Sequence, residues 1–289
     1  GAHANTAVGS NALENATGSG NVAIGSEAGR AQTTANYNVC VGQIAGDNIT
    51  SGGANIAIGY HAAGQVTTTG NHTAVGHTAL AQCTTGVNNT AFGYAAGIST
   101  ISGNYNVSIG ALSMAGAASG YSAEQCTAVG YEALKSVSSG HYNTAVGFQA
   151  LESCTSAEQN TAVGRNALNA STTGHTNTAV GLSALATNTT GNQNTAIGGN
   201  AGDNCTTGAQ NTYLGDNAGN THATGANCVY IGHASNCSST SVSTEIALGV
   251  AAAGKGTRTF FVNSDLGVFH GGNTTTWSTV SDERIKKNI

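Results

Sequence analysis

The sequence contains no proline among its 289 residues, and only 7% of them are charged. Together with 42 glycines, this composition does not predict a globular domain. No apolar run approaches the roughly 20 residues that span a bilayer, so no membrane insertion is expected. The net charge of −5 leaves no basic stripe, which argues against nucleic acid as a partner.

Glycine, by contrast, is periodic. A short apolar segment ends in a glycine fifteen times, and thirteen of the fourteen intervals are 16 or 17 residues long, the exception being 20 residues after Gly110. Such a short, regular period is typical of one turn stacked repeatedly on itself. The series is Gly9, Gly25, Gly42, Gly59, Gly76, Gly93, Gly110, Gly130, Gly147, Gly164, Gly181, Gly198, Gly215, Gly232 and Gly249.

Each turn can be numbered from its glycine as position 0. Position −1 is apolar in every turn, and position −3 is always Thr, Val or Ile, while position −2 is Ala in eleven turns. Because β-branched residues at period 2 suit a half-buried strand, we predict that −1 and −3 point into the turn. Position −2 is then expected to face outward, against another backbone.

The predicted fold is all-β, a parallel β-roll or β-helix of about 15 turns with a 17-residue repeat, and we expect lateral association in closed cyclic symmetry because each turn encloses a thin core. We predict two short strands per turn, and steps of about 4.8 Å between turns give a length of roughly 70 Å. The lack of proline suits a ladder without free edges. We divide the chain into a repeat shaft (1–254), a short β connector or cap (255–280) and a C-terminal segment (281–289).

Position −4 is asparagine in eleven turns. Stacked carboxamides can form a ladder in which each donates to the next, and this is the structural role we predict. Alternatively, asparagine tolerates a turn with positive φ. The ladder prediction applies most clearly to Asn143, Asn160, Asn177, Asn194 and Asn211.

Seven cysteines form no C-x-x-C pair, and we expect reduced, buried thiols, with bridges between chains as the alternative. The histidines do not share one position on adjacent turns, and the acidic residues lack calcium-repeat spacing, so no metal site and no cofactor are predicted. No paired carboxylates or Ser-His-Asp set predicts a glycan-cleaving enzyme.

Aromatic residues recur at positions +1 and −5, at the bends of the turn. We predict a low-affinity binding surface for a receptor, since exposed rings stack on sugar faces, with coverage of a neighbouring turn or partner chain as the alternative. The inserted residues near the 20-residue interval add one further aromatic side chain. The candidate residues are Tyr60, His77, Tyr94, Tyr121, Tyr131 and Phe148.

The repeated segment Asn-Thr-Ala-Val-Gly resembles the head repeats of trimeric autotransporter adhesins, whose β-rolls pack three together. The end of the chain, Ser281 to Ile289 (Ser-Asp-Glu-Arg-Ile-Lys-Lys-Asn-Ile), resembles the start of the endosialidase-type intramolecular chaperone of phage tail fibres and tailspikes. That resemblance implies trimerisation and release by self-cleavage between Ser281 and Asp282. Ser281 would be the nucleophile and Lys286 the base that activates it.

These resemblances lead us to expect a structural, host-receptor-binding viral fibre, located in the virion and not an enzyme apart from self-cleavage. Its expected partners are two further copies of itself and a host-surface receptor, a glycan by preference. The alternative is a bacterial surface adhesin or self-assembling extracellular fibre at the cell surface.

Self-cleavage predicts a defined product. The wild-type chain, expressed with the segment beyond Asp282 intact, should give a mature species ending at Ser281. Ser281→Ala should leave that segment attached, because the nucleophile is lost. Intact-mass measurement of both proteins checks this, and a Ser281→Ala protein that is still processed would exclude Ser281 as the nucleophile.

Overall fold

The protein is represented by a computed structural model that describes residues 4–116 and 122–262, together with the backbone of two strands at 268–270 and 278–279. It is an all-β chain of sixteen parallel strands followed by two antiparallel ones, wound as a β-solenoid with turns 17 residues apart. No helix occurs in the described ranges, and so these ranges contain no membrane-spanning helix. The prediction of a parallel repeat solenoid is confirmed.

The chain divides into two compact units, Gly1–Glu158 and Gln159–Ile289. Unit 1 holds nine parallel strands in sequence order, and neighbours pair in register so that equivalent positions of successive turns lie side by side. The strands are β1 (Thr6–Val8), β2 (Val22–Ile24), β3 (Val39–Val41), β4 (Ile56–Ile58), β5 (Thr73–Val75), β6 (Thr90–Phe92), β7 (Val107–Ile109), β8 (Thr127–Val129) and β9 (Thr144–Val146).

Unit 2 continues the same repeat. Strands β10 to β16 pair in parallel, while β17 and β18 are antiparallel to their neighbours. The strands are β10 (Thr161–Val163), β11 (Thr178–Val180), β12 (Thr195–Ile197), β13 (Thr212–Leu214), β14 (Val229–Ile231), β15 (Ile246–Leu248), β16 (Phe260–Val262), β17 (Val268–His270) and β18 (Ser278–Thr279).

Each turn contains one three-residue strand, so the prediction of two strands per turn was wrong. The stretch after the strand includes non-glycine residues with positive φ, such as Thr78 at 55° and Leu80 at 50°, which no β-strand accommodates. The backbone there still bonds to both neighbouring turns: the Thr78 N–H donates to Tyr60 O at 2.9 Å and the Leu80 N–H to Ala96 O at 3.0 Å. The ladder thus continues through bends as well as strands.

The predicted facing of the strand residues was also wrong. Position −2 is buried in every turn after the first, as at Ala179, whereas −1 and −3 are half-buried or exposed, as at Val180 and Thr178. The inward set is therefore −2 and −4, which alternate with period 2 as a strand requires. Alanine occupies −2 because the interior of so narrow a turn has no room for a larger side chain unless a neighbouring position holds a smaller residue.

Tyr213 and Tyr230 show that compensation. Both lie at position −2 and are fully buried, and glycine stands at +4 of the adjoining turns, where six other turns carry leucine. A Cβ at Gly219 would lie 2.0 Å from the Tyr213 ring and 3.2 Å from the Tyr230 ring, while one at Gly202 would lie 2.7 Å from Tyr213. The interior volume is thus conserved because a large side chain is paired with a glycine, which has none.

The strand-ending glycine is required by both conformation and space. Gly198 has a φ of +135°, and a Cβ there would lie 2.5 Å from the carbonyl oxygen of Gly215 in the next turn. At the neighbouring Gly199 a Cβ would approach within 2.7 Å only the carboxylate of Asp216, a side-chain end that can turn away.

We therefore expect Gly198→Ala to destabilise the protein by roughly 3 kcal/mol or more, because a strained φ and a backbone clash add. The matched variant Gly199→Ala should change the free energy of unfolding by less than about 1 kcal/mol. Urea unfolding of the two variants checks this, and equal effects would contradict the assigned backbone geometry.

Candidate functional site

Each unit leaves one apolar residue per turn exposed or half-buried along the outward side of its strands. We define the strand face as the residues at positions −3 and −1; it carries no charged residue in any of the fifteen repeat turns. Phe92 is 54% exposed in unit 1 and Ile197 is 42% exposed in unit 2. The other apolar −1 residues with large exposure are Val8, Ile24, Ile58, Ile109, Leu214 and Ile231. Such a regular apolar surface is characteristic of a contact with another chain.

Beside the strand face of unit 1 runs a column of rings at position +1. Tyr60 and His77 stack with centroids 5.0 Å apart, and His77 and Tyr94 with centroids 5.6 Å apart. Further along, Tyr131 and Phe148 stack at 5.4 Å with an interplanar angle of 20°. These candidate binding residues are exposed, but most of their faces cover one another, so their edges meet solvent. Tyr121, the sixth candidate, lies outside the described residues.

The tyrosines at position −5 form a second exposed group. Tyr37, Tyr105 and Tyr142 are 71%, 58% and 52% exposed, and each has a positive φ near 60°. Positive φ therefore belongs to position −5 and not to the asparagine that follows it. The turn-based explanation for the asparagine column was wrong.

The asparagines at position −4 are buried and aligned, including Asn143, Asn160, Asn177, Asn194 and Asn211. Each bridges to the backbone of the next turn, not mainly to the next amide. Asn177 Nδ2 donates to Gly191 O at 2.8 Å, and Asn177 Oδ1 accepts from the Asn194 N–H at 2.9 Å. Amide-to-amide bonding occurs as well, as from Asn194 Nδ2 to Asn177 Oδ1 at 3.2 Å. The column thus satisfies backbone groups that the turn would otherwise bury unpaired.

Four turns replace this asparagine, and the sequence pattern alone did not reveal that the replacements take over its contacts. His72 donates its N–H to Asn55 Oδ1 at 3.0 Å, and its Nδ1 accepts from the Asn89 N–H at 3.4 Å. The Cys126 and Cys228 thiols donate to Gly140 O and Val242 O, each at 3.4 Å, the carbonyl positions that the asparagine amide bonds in other turns. The sequence signal that could have revealed these replacements is that they occupy position −4, as the asparagines do.

Glu245 is the fourth replacement and is fully buried. Its carboxylate accepts from the Tyr230 hydroxyl at 3.0 Å, the Ser238 N–H at 3.1 Å and the Gly256 N–H at 2.6 Å. A carboxylate can only accept, so it cannot donate to the next carbonyl as asparagine does. The column's pattern of donation therefore ends at Glu245.

A polar cluster adjoins this residue in unit 2. His222 is fully buried between the Tyr213 hydroxyl, 2.7 Å from its Nδ1, and Val242 O, 2.9 Å from its Nε2. Burial lowers the pKa of His222 and raises the pKa values of both tyrosine hydroxyls. All three groups are thus held uncharged near neutral pH, which fits a core role better than acid–base catalysis.

The cysteines lie apart from this surface chemistry. All seven are free in this chain, and only Cys237 is not fully buried. Burial raises the pKa of the Cys40 and Cys154 thiols to about 12, and of Cys83 and Cys126 to about 11. Because the thiolate is the reactive form, these side chains are poor nucleophiles.

Within the described ranges, no group of three or more His, Cys, Asp or Glu side chains is placed to hold a metal ion. Ser281, Asp282 and Lys286, the residues expected to carry out self-cleavage, lie outside the described residues.

No protein-family model, no curated protein and no solved structure matches the chain.

The histidine in the asparagine column predicts a pH effect. Burial lowers the pKa of His72, so its stabilising contribution is full above the unfolded value of about 6.5 and is lost as the pH falls towards the folded value. His72→Asn should restore the amide contacts and reduce the loss of thermal stability between about pH 7.5 and about pH 5.

Thermal unfolding at several pH values measures this effect. His175→Asn, at an exposed position, is the matched control and should retain the wild-type pH dependence. A His72→Asn protein with unchanged pH dependence would show that the imidazole does not couple folding to proton binding.

Proposed function

We propose that this chain is the shaft of a homotrimeric extracellular fibre, of the kind that carries a virus to its host. The observation that carries the proposal is the strand face, which leaves apolar side chains exposed on a single chain turn after turn. Removing that surface from water would stabilise an assembly, since each square ångström of buried apolar surface contributes about 25 cal/mol.

The repeat itself favours another copy of this chain as the partner. Rows of the strand face recur at the strand spacing of about 4.8 Å, and only a surface with the same spacing can match them row by row. The absence of charge on the face removes the electrostatic means of selecting an unrelated partner. Identical chains arranged about a rotation axis satisfy both conditions.

The number three and the viral setting come from the sequence resemblances. Three β-rolls pack together in the adhesin heads that the repeat resembles. The Ser281–Ile289 segment resembles the chaperone of phage fibres, and this favours a virion fibre over a bacterial adhesin. Self-cleavage after Ser281 remains part of this proposal.

Lysine substitutions on the strand face test the association. Ile58→Lys combined with Phe92→Lys places two charges per chain on the face of unit 1, where association would bury them at a high cost. The wild-type protein should have three times the chain mass in solution, and the double variant should be monomeric.

Gln65→Lys combined with Thr85→Lys is the control, since both positions are exposed but lie outside the strands. It adds the same charge and should remain trimeric. Light scattering after size-exclusion chromatography measures the masses, with circular dichroism to verify folding. A wild-type protein that stays monomeric at micromolar concentration would refute the proposed assembly.

A further inference from the structure

The column of rings in unit 1 is interrupted at one turn. The carbonyl of each +1 residue accepts from the N–H at +2 of the next turn, so these residues follow one another without a gap in register. The Leu112 N–H donates to Tyr94 O at 2.9 Å, and the Glu132 N–H donates to Ala111 O at 3.1 Å. Ala111 therefore occupies the column between Tyr94 and Tyr131, where every other member from Tyr60 to Phe148 is a ring.

The spacing of the column gives the size of this interruption. Neighbouring rings stand 5.0 to 5.6 Å apart. Two turns at about 4.8 Å or slightly more place the Tyr94 and Tyr131 rings roughly 10–11 Å apart. A single ring inserted between them would lie about 5 Å from each, within the range in which rings stack.

The outer faces of the two tyrosines are thus left without a stacking neighbour in the column, above an alanine. Tyr94 is 57% exposed and Tyr131 is 44% exposed. We define this interruption, formed by Tyr94, Ala111 and Tyr131, as the ring gap.

The charges around the ring gap limit what can enter it. No Asp, Glu, Lys or Arg occurs from residue 48 to residue 123. At Glu132, next to the gap, hydrogen bonds from Lys135 and Gln149 lower the carboxyl pKa, and Lys135 Nζ lies 2.6 Å from Oε1. Glu132 is 7% exposed, its second oxygen accepts from Gln149 Nε2 at 2.7 Å, and Lys135 balances its charge, so it is not an open acceptor for a ligand.

We propose that the ring gap binds one pyranose unit of a neutral oligosaccharide. A pyranose presents C–H groups on its two faces and hydroxyl groups around its edge. The faces would stack on Tyr94 and Tyr131, while the edge hydroxyls would face solvent. An acidic sugar would find no Lys or Arg side chain among residues 48–123 to balance its charge.

The ring gap rests on the proposed fibre function, to which it adds a class of host receptor and a site for it. Several such sites in one assembly would strengthen attachment through simultaneous weak contacts.

The test uses maltotetraose and cellotetraose as neutral probes and tetragalacturonate as the anionic one, with saturation-transfer NMR to detect contact and to measure affinity. At least one neutral probe should bind, with its pyranose C–H protons closest to the protein. Ala111→Tyr should complete the column, raise the unfolding temperature and weaken binding roughly tenfold or more. Tyr94→Ala should weaken binding to a similar extent but should not raise the unfolding temperature.

Tyr105→Ala removes an exposed tyrosine outside the column and should leave affinity unchanged. Binding that survives Ala111→Tyr, binding of the anionic probe alone, or no binding of either neutral probe at millimolar concentration would overturn the inference. Light scattering on the same samples separates the two proposals: a trimer that binds no sugar refutes only the ring gap, and a monomer that binds refutes only the assembly.

Discussion

The buried asparagine at position −4 is the constraint on which the rest of each turn depends. Its carboxamide donates to a carbonyl of the next turn and accepts from a backbone N–H of that turn, as Asn177 does with Gly191 and Asn194. Losing both contacts would leave two buried backbone groups unpaired, at a cost of about 1–3 kcal/mol each. Because side chains alternate along a strand, an inward −4 also makes −2 inward and turns −3 and −1 outward.

Two consequences follow from that alternation. The interior accepts only alanine at −2, or a larger residue where a neighbour is reduced to glycine, as Tyr213 is accommodated by Gly202 and Gly219. The β-branched and apolar residues then lie outside, where one chain cannot bury them. The same geometry that builds the core therefore supplies the surface on which the proposed assembly depends, and the +1 column beside it carries the proposed ring gap.

The sequence was sufficient for the turn length, the parallel order and the asparagine column, because each repeats at a fixed interval. It was insufficient for the facing, since alternation marks two faces without saying which is inward. Valine and threonine suggested the core by their usual preference, yet Asn177 and Ala179 occupy it. The second predicted strand failed because residues such as Leu80 adopt positive φ, which side-chain type does not reveal. The stacking of Tyr60 on His77 could not be predicted without knowing the register between successive turns.

Disulfide trapping between chains tests whether Ala179 faces inward and its strand neighbours face other copies. Cysteine is introduced singly at Thr178, Ala179 and Val180 of β11, and the assembled proteins are oxidised and compared with wild type on a non-reducing gel. A covalent dimer is expected for Thr178→Cys or Val180→Cys and none for Ala179→Cys. A dimer from Ala179→Cys would contradict this orientation, and so would the absence of a dimer from all three variants.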